Sequence, residues 1–592
     1  MAKVAFVITP EYTRTMPHLG IAYLRAIASQ HGHETRYFDL SAKYRLESFF
    51  ASILHSWINT YSKRTRMQTL FAFLPSIVAY FEPPPDMNQN TRMLFLLLKS
   101  ESEKMATEIL EYQPDIVCFS IFDTTLFLSL SVARELKKRN NSLKIIFGGP
   151  FLNDKRVQDF VLLFNDCIDH IVVGEGEEII NDLIENSIPS QNRIICTEAI
   201  SSLDNLPFPV FDGCDFEMYK KVMYTEKNWR GLAVIDEKIL PLMAMRGCPF
   251  NCAFCDHHVV WKEYRSRRVE NVIKEIIHEQ ATYDCHVFRF NDSLINSNPK
   301  WLKALCQAIL DNDLRIYWYA HCRADMLNDD LARLMYRAGC RYLKFGIESA
   351  SQPVLRLMNK KITPESALKA IESANHANIK TRASFIYAYP GETAQNLQET
   401  VDFLKQCGNK FYGVRIYSFI FMPGTPLELE ASLHNVTLHN FSSTSQKFAS
   451  ALGQIPETWS HPVINEEVIA QRDELVQPVV KAINQIHKNY LPYMFSELIE
   501  SKINNNTLFE FIKSAVLKLK ETDTSPDTVK IYASSGATFV LSKKCYSLFQ
   551  EITSATFNDL KTIIMNEENL VSHEASVLII GLISSGMLKL KK

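Results

Sequence analysis

The sequence predicts an α/β protein with a Rossmann-like sheet, a partial (β/α)6 TIM barrel and a mostly helical C-terminal region. Two separate series of apolar strands alternating with amphipathic helices predict the first two parts, and longer helical patterns predict the third. The predicted units are a Rossmann-like domain at 1–200, a linker at 201–235, a barrel at 236–435 and a helical domain at 436–592, winged-helix-like from about 527.

The first series opens with the strand KVAFVITP, the helix PHLGIAYLRAIASQHG and the strand ETRYFDL. The pattern then becomes helical and aromatic, which predicts a helical insertion at about 41–112. It resumes with DIVCFSIF, LKIIFGGP and HIVVGEGEEII. Small residues follow these strands at the carboxyl edge, where open parallel sheets bind ligands.

The second series begins near Pro241, after the proline-containing linker SLDNLPFPVFD. Its strands are PLMAMRG, HVFRFND, RIYWYAHCRA, YLKFGIES, TRASFIYAYPG and GVRIYSFIFMPG. Six such units predict an incomplete barrel whose chemistry lies at the carboxyl ends of the strands. The aromatic residues of RIYWYAH are expected to fill the barrel core.

Composition excludes some classes of function. The 592 residues carry a net charge of only −2, so nothing attracts the whole chain to nucleic acid or to an anionic membrane. The opening MAKVAFVITPEY lacks the features of a secretory signal, and we expect a cytoplasmic protein. Of thirteen cysteines, ten are scattered singly and are expected to be buried thiols.

The other three cysteines form a C-x3-C-x2-C loop directly after the first barrel strand: Cys248, Cys252 and Cys255. Thiolates are ligands for both iron–sulfur clusters and zinc. A zinc site normally needs four ligands, and His257 or His258 is available as a fourth. Three thiolates alone leave one iron of a 4Fe-4S cluster open to another ligand.

The spacing, with the aromatic Phe254 between the last two cysteines, resembles the signature of the radical S-adenosylmethionine (SAM) superfamily. The resemblance implies that Cys248, Cys252 and Cys255 bind a 4Fe-4S cluster whose open iron chelates SAM. It also implies that one electron cleaves SAM to a 5′-deoxyadenosyl radical, which abstracts hydrogen.

Later segments resemble the cofactor-binding motifs of the same superfamily. FRFND places Asn291 and Asp292 at a strand end, facing the proposed cofactor. YLKFGIESAS resembles the motif whose acidic residue contacts the SAM ribose, here Glu348, with Ser349 beside it. FIYAYPGET resembles the glycine motif near the adenine, with Tyr389 in place of a small residue. Two arginines are further candidates for the SAM carboxylate by bidentate geometry: Arg323 and Arg382.

The N-terminal domain and the LPFPVFD linker resemble the cobalamin-binding class of this superfamily. The resemblance implies cobalamin contacts at the strand ends, from Ser120, Gly148, Gly149, Gly174, Glu175 and Gly176. The D-x-H-x-x-G motif that ligates cobalt in many cobalamin enzymes is absent, and Phe151 stands where relatives often carry histidine. His18 and Arg14 are placed either to approach the ligand or to begin a helix. A degenerate domain that binds nothing and a nucleotide-binding domain remain alternatives.

Together these features predict a cobalamin-dependent methyltransferase acting on an unactivated carbon of a natural-product or peptide substrate. A cyclase or rearrangement enzyme, with or without cobalamin, is the first alternative, and a zinc-stabilised regulatory protein is the second. The enzyme would need an electron donor such as flavodoxin or ferredoxin. The C-terminal end is expected to be either a packing cap or a binder of a leader peptide.

Overall fold

The computed structural model describes residues 1–10, 15–44, 89–225, 237–422, 424–440, 456–462, 464, 466–486, 508–511, 516–522, 525–533, 538–551, 555–568, 579, 582 and 588–590. Three predictions therefore fall partly or wholly outside the described residues. They concern the predicted helical insertion between 45 and 88, the loop residue Arg14, and most of the terminal stretch ASVLIIGLISSGMLKL.

The N-terminal sheet has six parallel strands in the order β2-β1-β3-β4-β5-β6. The strands are β1 Lys3–Ile8, β2 Glu34–Asp39, β3 Ile116–Ser120, β4 Lys144–Gly148, β5 His170–Val173 and β6 Ile194–Cys196. Parallel strands buried on both faces are continuous apolar runs. Accordingly, every residue from Val4 to Ile8 is fully or almost fully buried.

Helices cover both faces of this sheet, which makes it doubly wound, as predicted. They are α1 Leu19–Gln30, α2 Leu40–Lys43, α3 Gln89–Glu111, α4 Leu126–Arg139, α5 Lys155–Val161 and α6 Ile180–Ile184, followed by α7 Phe216–Thr225 before the second sheet. From β1 the chain passes to β2 on one side of that strand, and it later enters β3 on the other side. The resulting crevice lies at the carboxyl edge of the sheet.

The second sheet confirms the partial barrel. Its six parallel strands are ordered β14-β13-β12-β11-β10-β7, and β7 and β14 are the two edges. The strands, with the short hairpin β8–β9, are β7 Ile239–Leu242, β8 Met245–Arg246, β9 Arg265–Ser266, β10 Val287–Phe290, β11 Tyr317–Cys322, β12 Cys340–Glu348, β13 Lys380–Tyr387 and β14 Gly413–Ser418.

The barrel helices pack outside the sheet: α8 His257–Val260, α9 Val269–Tyr283, α10 Pro299–Asp311, α11 Asp329–Arg337, α12 Gln352–Leu357, α13 Pro364–His376, α14 Ala394–Cys407 and α15 Pro426–Leu429. Alternate strand residues face this helical layer, including Phe288, Phe345 and Phe385. The residues between them face the interior of the barrel. Trp318 and Tyr319 are fully buried, which confirms the prediction that this aromatic segment fills the core.

Helix α16, Glu466–Ile486, covers the edge strand β14. The side chain of Asn484 accepts a hydrogen bond from Val414 N at 2.9 Å and donates one to Val414 O at 3.0 Å. Arg472 of the same helix binds Glu392, with Nη1 to Oε2 at 2.8 Å. The Asn484 contacts satisfy backbone groups of the edge strand that would otherwise be available to pair with another chain.

The C-terminal region contains more strand than the sequence reading predicted. Its elements are β15 Thr437–Asn440, β16 Pro456–Ser460, β17 Leu508–Phe511, β18 Val516–Thr522, β19 Ser525–Ala533, β20 Thr538–Ser542, α17 Lys543–Glu551, β21 Ala555–Thr556, α18 Phe557–Glu568 and β22 Leu588–Leu590. Strand β18 alternates leucine and lysine, the period-two pattern of a strand with one buried face. An antiparallel sheet β18-β19-β20 begins before the region predicted to be winged-helix-like and precedes its helices.

Candidate functional site

The three-cysteine loop leaves the first barrel strand through a tight turn. Gly247 has a φ of +80°, and a β-carbon there would collide with the carbonyl oxygen of Glu263, so only glycine fits the turn. The loop is then held from both sides. Ala253 N donates to Met358 O at 2.9 Å, and Ala253 O accepts from Leu427 N at 2.9 Å.

The three thiols lie close enough to influence one another. Burial raises the pKa of Cys248, and burial together with thiolates at the other two cysteines raises the pKa of Cys255 to about 12. Lys360 and Arg323 act in the opposite direction and lower the pKa of Cys248. Metal ligation requires thiolates. Bound iron would supply the positive charge that these buried sulfurs need, so the donor set fits a cluster.

Zinc fits this loop less well. Within the described residues, no group of three or more His, Cys, Asp or Glu side chains is placed to hold a single metal ion. Nε2 of His258 lies 2.6 Å from Phe250 O, and Nδ1 of His257 lies 3.1 Å from Ser293 Oγ. Each candidate fourth ligand thus has one ring nitrogen engaged and the other available, so the case against zinc rests on the placement of the side chains.

A buried hydroxyl provides an independent test of fit. Tyr389 is fully buried and packs against Phe419, with ring centroids 4.9 Å apart. Among the described residues its hydroxyl has no hydrogen-bond partner. Burial and, to a smaller extent, a thiolate at Cys252 raise the pKa of Tyr389, so the hydroxyl and this cysteine are neighbours. A cluster with sulfide acceptors would give the hydroxyl a partner.

Two of the residues predicted to contact SAM also support the cysteine loop. Asp292 Oδ1 accepts from the backbone N–H groups of Ala244, at 2.9 Å, and Met245. Burial raises the pKa of Asp292 to about 7. Arg323 is buried, lies 3.8 Å from the ring centroid of Phe250, and donates Nη2 to Lys360 O at 2.5 Å. Their shared role is to fix the backbone around the cysteines.

Glu348 and Asn291 lie where a ligand at the carboxyl edge would meet them. Glu348 has a φ of +71° at a register shift that ends β12, and a β-carbon at Gly346 would collide with its carboxylate. Its Oε1 lies 3.4 Å from Lys360 Nζ, and burial raises its pKa. Asn291 is exposed and lines the cavity described below.

Ser349 and Arg382 are not brought to that edge. Ser349 is fully buried, and its hydroxyl lies 3.2 Å from Thr400 Oγ1 of α14. Arg382 is the third residue of β13, level with Lys344 of β12 and about 10 Å below Glu348 along the strand. Arg382 was predicted to lie near a strand end. It does, but at the start of β13 and not at the carboxyl end, where the ligand would bind.

A cavity of about 560 Å³ lies between the carboxyl edge of the N-terminal sheet and the barrel. The barrel side contributes Arg246, His257, Val259, Trp261, Asn291 and Met422. The sheet side contributes residues including Phe122, Phe151 and Asn153, and also the predicted contacts Ser120, Gly148, Gly149, Gly174, Glu175 and Gly176. The structure therefore brings all six predicted cobalamin contacts to one cavity.

The glycines of this cavity differ in what they permit. Gly149 has a φ of +116° and Gly174 a φ of +103°, and a β-carbon on either would lie 2.6 Å from Ile121 or Thr197 atoms. Gly148 and Gly176 have no such conflict within the protein. Their missing side chains leave space on the cavity side, which suits a large planar ligand. His18 begins α1, where its Nδ1 accepts from Ile21 N at 3.0 Å, and burial lowers its pKa to about 4.

The ion pairs that connect the two sheets were not predicted from the sequence. Arg246 Nη1 lies 2.8 Å from Glu175 Oε2, and Arg246 also binds Glu177. Arg265 binds Glu175 as well, with Nη1 to Oε2 at 3.0 Å. Glu175, Glu177 and Arg246 are all buried. The sequence does contain a signal for this contact. An arginine stands on each side of the cysteine loop, and the first domain carries the acidic run GEGEE.

A second link is bidentate. Arg156 of α5 donates to both carboxylate oxygens of Glu428 in α15, at 2.9 and 3.0 Å. Paired, planar contacts of this kind fix orientation. Together with the buried pairs at Glu175, they hold the cavity walls together.

The remaining cysteines behave as predicted for thiols outside a metal loop. All thirteen are free, and eight of the ten scattered ones are buried, with Cys196 exposed and Cys214 half-buried. In the part of the chain that the structure describes, no helix is both long and apolar enough to cross a membrane.

Comparisons with known proteins agree with this geometry. Residues 242–404 match the family "Radical SAM superfamily", and residues 87–184 match "B12 binding domain". The first match contains the cysteine loop, Asn291 and Glu348. The second contains Ser120, the glycines of the cavity and Glu175.

Among curated proteins, the chain is 28% identical to an uncharacterized methyltransferase of Pyrococcus horikoshii, over 51% of this chain and 66% of that protein. It is 27% identical to the anaerobic magnesium-protoporphyrin IX monomethyl ester cyclase of Rubrivivax gelatinosus, over 55% of this chain and 61% of that protein. The chain thus spans less than two thirds of the length of either relative.

Among solved structures, the fold is similar to that of the radical SAM methyltransferase TsrM from Kitasatospora setae, which contains cobalamin and a [4Fe-4S] cluster. The TM-score is 0.55 at 13% identity, and the alignment covers 81% of this chain and 91% of that one. At this identity the similarity establishes the fold.

Proposed function

The chain combines a radical SAM domain with a B12-binding domain, and on that premise we propose that it is a cobalamin-dependent methyltransferase acting on an unactivated carbon. One observation carries the proposal. A single cavity is lined from one side by the glycine-rich strand ends of the first sheet and from the other by the hairpin that holds the cysteines. A methyl carrier in that cavity would lie beside the radical-generating centre.

The cofactors supply the difficult chemistry when bound: the cluster and SAM generate a radical, and cobalamin carries a methyl group. The protein's part is to bind, orient and exclude water. Cys248, Cys252 and Cys255 would hold the cluster, and Asp292 and Arg323 keep their loop in shape.

Glu348 is the residue we assign to the SAM ribose. Its positive φ turns the carboxylate toward the carboxyl edge of the barrel, where Lys360 pairs with it. An ionised carboxylate can accept hydrogen bonds through both oxygens, whereas the protonated acid uses one oxygen as a donor. Lys360 lowers the pKa of Glu348 against the effect of burial and so favours the accepting form. Asn291, on the neighbouring rim, is the second proposed contact.

At the cobalamin site we assign contacts to Ser120 and to Gly148, Gly149, Gly174 and Gly176, which let a large ligand approach the backbone. Glu175 is assigned a structural role instead, because both of its carboxylate oxygens are occupied by Arg246 and Arg265. These ion pairs hold the cysteine hairpin against the B12-binding domain and keep the two cofactor sites at a fixed separation.

A cyclase is the second candidate, because one of the relatives is an anaerobic cyclase that matches over a similar length. The two activities are distinguished by the product. The product of a methyltransferase carries one more methyl group than the substrate, and that group comes from SAM. The product of a cyclase differs from its substrate in hydrogen count but contains no added carbon.

The test uses the full chain, loaded with cluster and cobalamin, together with SAM that carries a deuterated methyl group. The proposal expects a reductant-dependent formation of 5′-deoxyadenosine and recovery of the label in the cobalamin fraction. Cys252→Ala should abolish cleavage of SAM, and Cys196→Ala, which removes an exposed thiol, should not. Cleavage that survives Cys252→Ala would refute the cluster assignment, and a label that never leaves SAM would refute methyl transfer.

We further propose that the protein works in the cytoplasm on a small-molecule or peptide substrate, with flavodoxin or ferredoxin as electron donor. Thirteen free cysteines are consistent with a reducing compartment. The near-neutral charge gives no support to nucleic acid as a partner.

A further inference from the structure

Four cationic side chains line the interior of the barrel: Arg289 of β10, Lys344 of β12, Arg382 of β13 and Arg415 of β14. The apolar residues next to them on each strand pack in the core between the sheet and the helices: Phe288, Phe290, Leu343, Phe345, Ala383, Val414 and Ile416. The four cations therefore point the other way, into the lumen. His321 of β11 is level with Lys344, and Lys344 is level with Arg382, so these three are neighbours across adjacent strands.

No carboxylate neutralises this lumen cluster among the residues that the structure describes. Lys344 Nζ lies 5.6 Å from the ring centroid of Tyr319, and the Arg382 guanidinium lies 5.8 Å from that of Tyr342. Nε of Arg289 is buried without a hydrogen-bond partner in the described part of the chain. By contrast, the guanidinium of buried Arg246 is paired with two carboxylates.

The cations repel one another. Burial and the three arginines lower the pKa of Lys344 to about 7. Burial, Lys344 and Arg289 lower the pKa of His321 to about 3. His321 is nevertheless exposed, so water reaches this level of the lumen. A cluster of cations without carboxylate partners destabilises the folded protein. Its presence in the barrel therefore points to a function and not to a contribution to stability.

The lumen has an apolar floor, and the exposed residues His321 and Asn291 lie nearer the carboxyl ends of the strands. Aromatic and methionine side chains form its floor: Met16, Met223, Tyr319, Tyr342 and Tyr412. Arg289 precedes Asn291 by two residues on β10, and Lys344 precedes Glu348 by four on β12. At about 3.3 Å per residue, the cations lie roughly 7–13 Å below the proposed SAM contacts. A molecule anchored there would extend toward the position where SAM is cleaved.

We propose that the barrel lumen binds the anionic part of the substrate, an organic molecule with at least two negative charges on phosphoryl or carboxylate groups. Arg289, Lys344, Arg382 and Arg415 are the residues that bind it. The proposal rests on the proposed function, since it names the substrate class of the same site. Arginine forks suit planar or tetrahedral oxyanions, and lysine adds a point charge.

The binding test uses the full chain loaded with cluster and cobalamin, and two probe anions, inorganic pyrophosphate and citrate. Calorimetry should find one saturable site for at least one of them. Tighter binding of pyrophosphate would indicate a phosphoryl substrate, and tighter binding of citrate a carboxylate substrate. Lys344→Gln should weaken the binding at least tenfold, and the matched variant Lys303→Gln, at an exposed position of α10, should not change it. Absence of binding, or equal binding by both variants, would overturn the proposal.

A second measurement covers the case in which Lys344 is structural. Because the substrate-free cluster is repulsive, Lys344→Gln should raise the melting temperature of the protein, whereas loss of a structural lysine would lower it. The binding of citrate by the wild type should also weaken as pH rises above about 7, since Lys344 loses its proton there while the three arginines keep theirs and His321 stays neutral. A lower melting temperature for the variant would overturn the proposal.

Measurements with SAM separate this proposal from the proposed function. If Lys344→Gln weakened SAM binding as much as anion binding, the cation would serve the SAM carboxylate and the substrate assignment would fail. If the wild type cleaved SAM but bound neither anion, the substrate assignment would fail and the enzyme assignment would stand. Anion binding by a protein that never cleaves SAM would refute the proposed function and leave the lumen site in place.

Discussion

Two adjacent glycines at the end of β4 allow two effects of an added side chain to be measured separately: its effect on the stability of the fold and its effect on ligand binding. Gly149 has φ +116° and ψ 166°, a region occupied almost only by glycine, and a β-carbon would lie 2.6 Å from backbone atoms of Ile121. At Gly148 the nearest atom to a β-carbon is Val172 Cβ at 3.9 Å, an ordinary contact. Both residues line the cavity.

The two alanine variants should therefore fail in different ways. Gly149→Ala combines backbone strain with a collision, which should lower the free energy of unfolding by about 3 kcal/mol or more. Gly148→Ala should change it by less than about 1 kcal/mol. The added methyl group of Gly148→Ala enters the space proposed for the corrin, which should cost about 1–3 kcal/mol of binding free energy, a roughly 5- to 150-fold weaker affinity for cobalamin.

Urea unfolding of the ligand-free protein gives the first quantity, and equilibrium binding of cobalamin, followed by absorbance, gives the second. Gly32→Ala is the control for strain alone, because Gly32 has φ +80° with no atom within 4 Å of a β-carbon. Wild-type affinity of Gly148→Ala for cobalamin would refute the assignment of this cavity. Equal stability of Gly149→Ala and Gly32→Ala would refute the collision argument.

Three further variants test other parts of the account. Arg246→Ala leaves the buried carboxylate of Glu177 unpaired and leaves Glu175 with Arg265 alone, and it should lower the free energy of unfolding by about 3–5 kcal/mol, measured by urea denaturation. Glu348→Gln should weaken the binding of SAM to the cluster-loaded protein about tenfold, because a charged acceptor is lost. Tyr389→Phe should shift the reduction potential of the cluster about 40 mV more negative, the equivalent of one hydrogen bond, in a titration monitored by electron paramagnetic resonance.

Each of these predictions has a contradicting result. Stability of Arg246→Ala equal to that of Lys303→Gln would show that the interdomain pairs contribute nothing measurable. Unchanged SAM affinity in Glu348→Gln would remove this residue from the SAM site. An unchanged potential in Tyr389→Phe would mean that the buried hydroxyl does not face the cluster.

The metal loop and both sheets were accessible from sequence because their signals are local. Three cysteines in one short loop do not depend on distant parts of the chain, and continuous apolar strands between amphipathic helices define parallel sheets. The glycines after β4 and β5 were also recognisable. A strand end that must approach a ligand and adopt a positive φ requires glycine.

The roles of individual polar residues were less accessible, because they depend on contacts between distant segments. Asp292 sits at a strand end, as expected, but its carboxylate accepts from the backbone of the neighbouring strand connection. Glu175 is 71 residues from Arg246 in sequence and pairs with it across two domains. The cations of the lumen are spread over four strands, and only the barrel brings Arg289, Lys344 and Arg415 together.

The C-terminal strands illustrate a different cause. The alternation in β18 is short and rich in lysine, and longer helical patterns flank it. A period-two pattern of this length is a weak signal beside such neighbours.

The most direct test of the central claim is the metal content of the full chain, produced with cobalamin available and purified without oxygen. The account predicts about one cobalt and about four irons per chain, together with reductant-dependent cleavage of SAM. Iron without cobalt, even after reconstitution with cobalamin, would contradict the assignment of the cavity between the two sheets and with it the proposed methyl transfer.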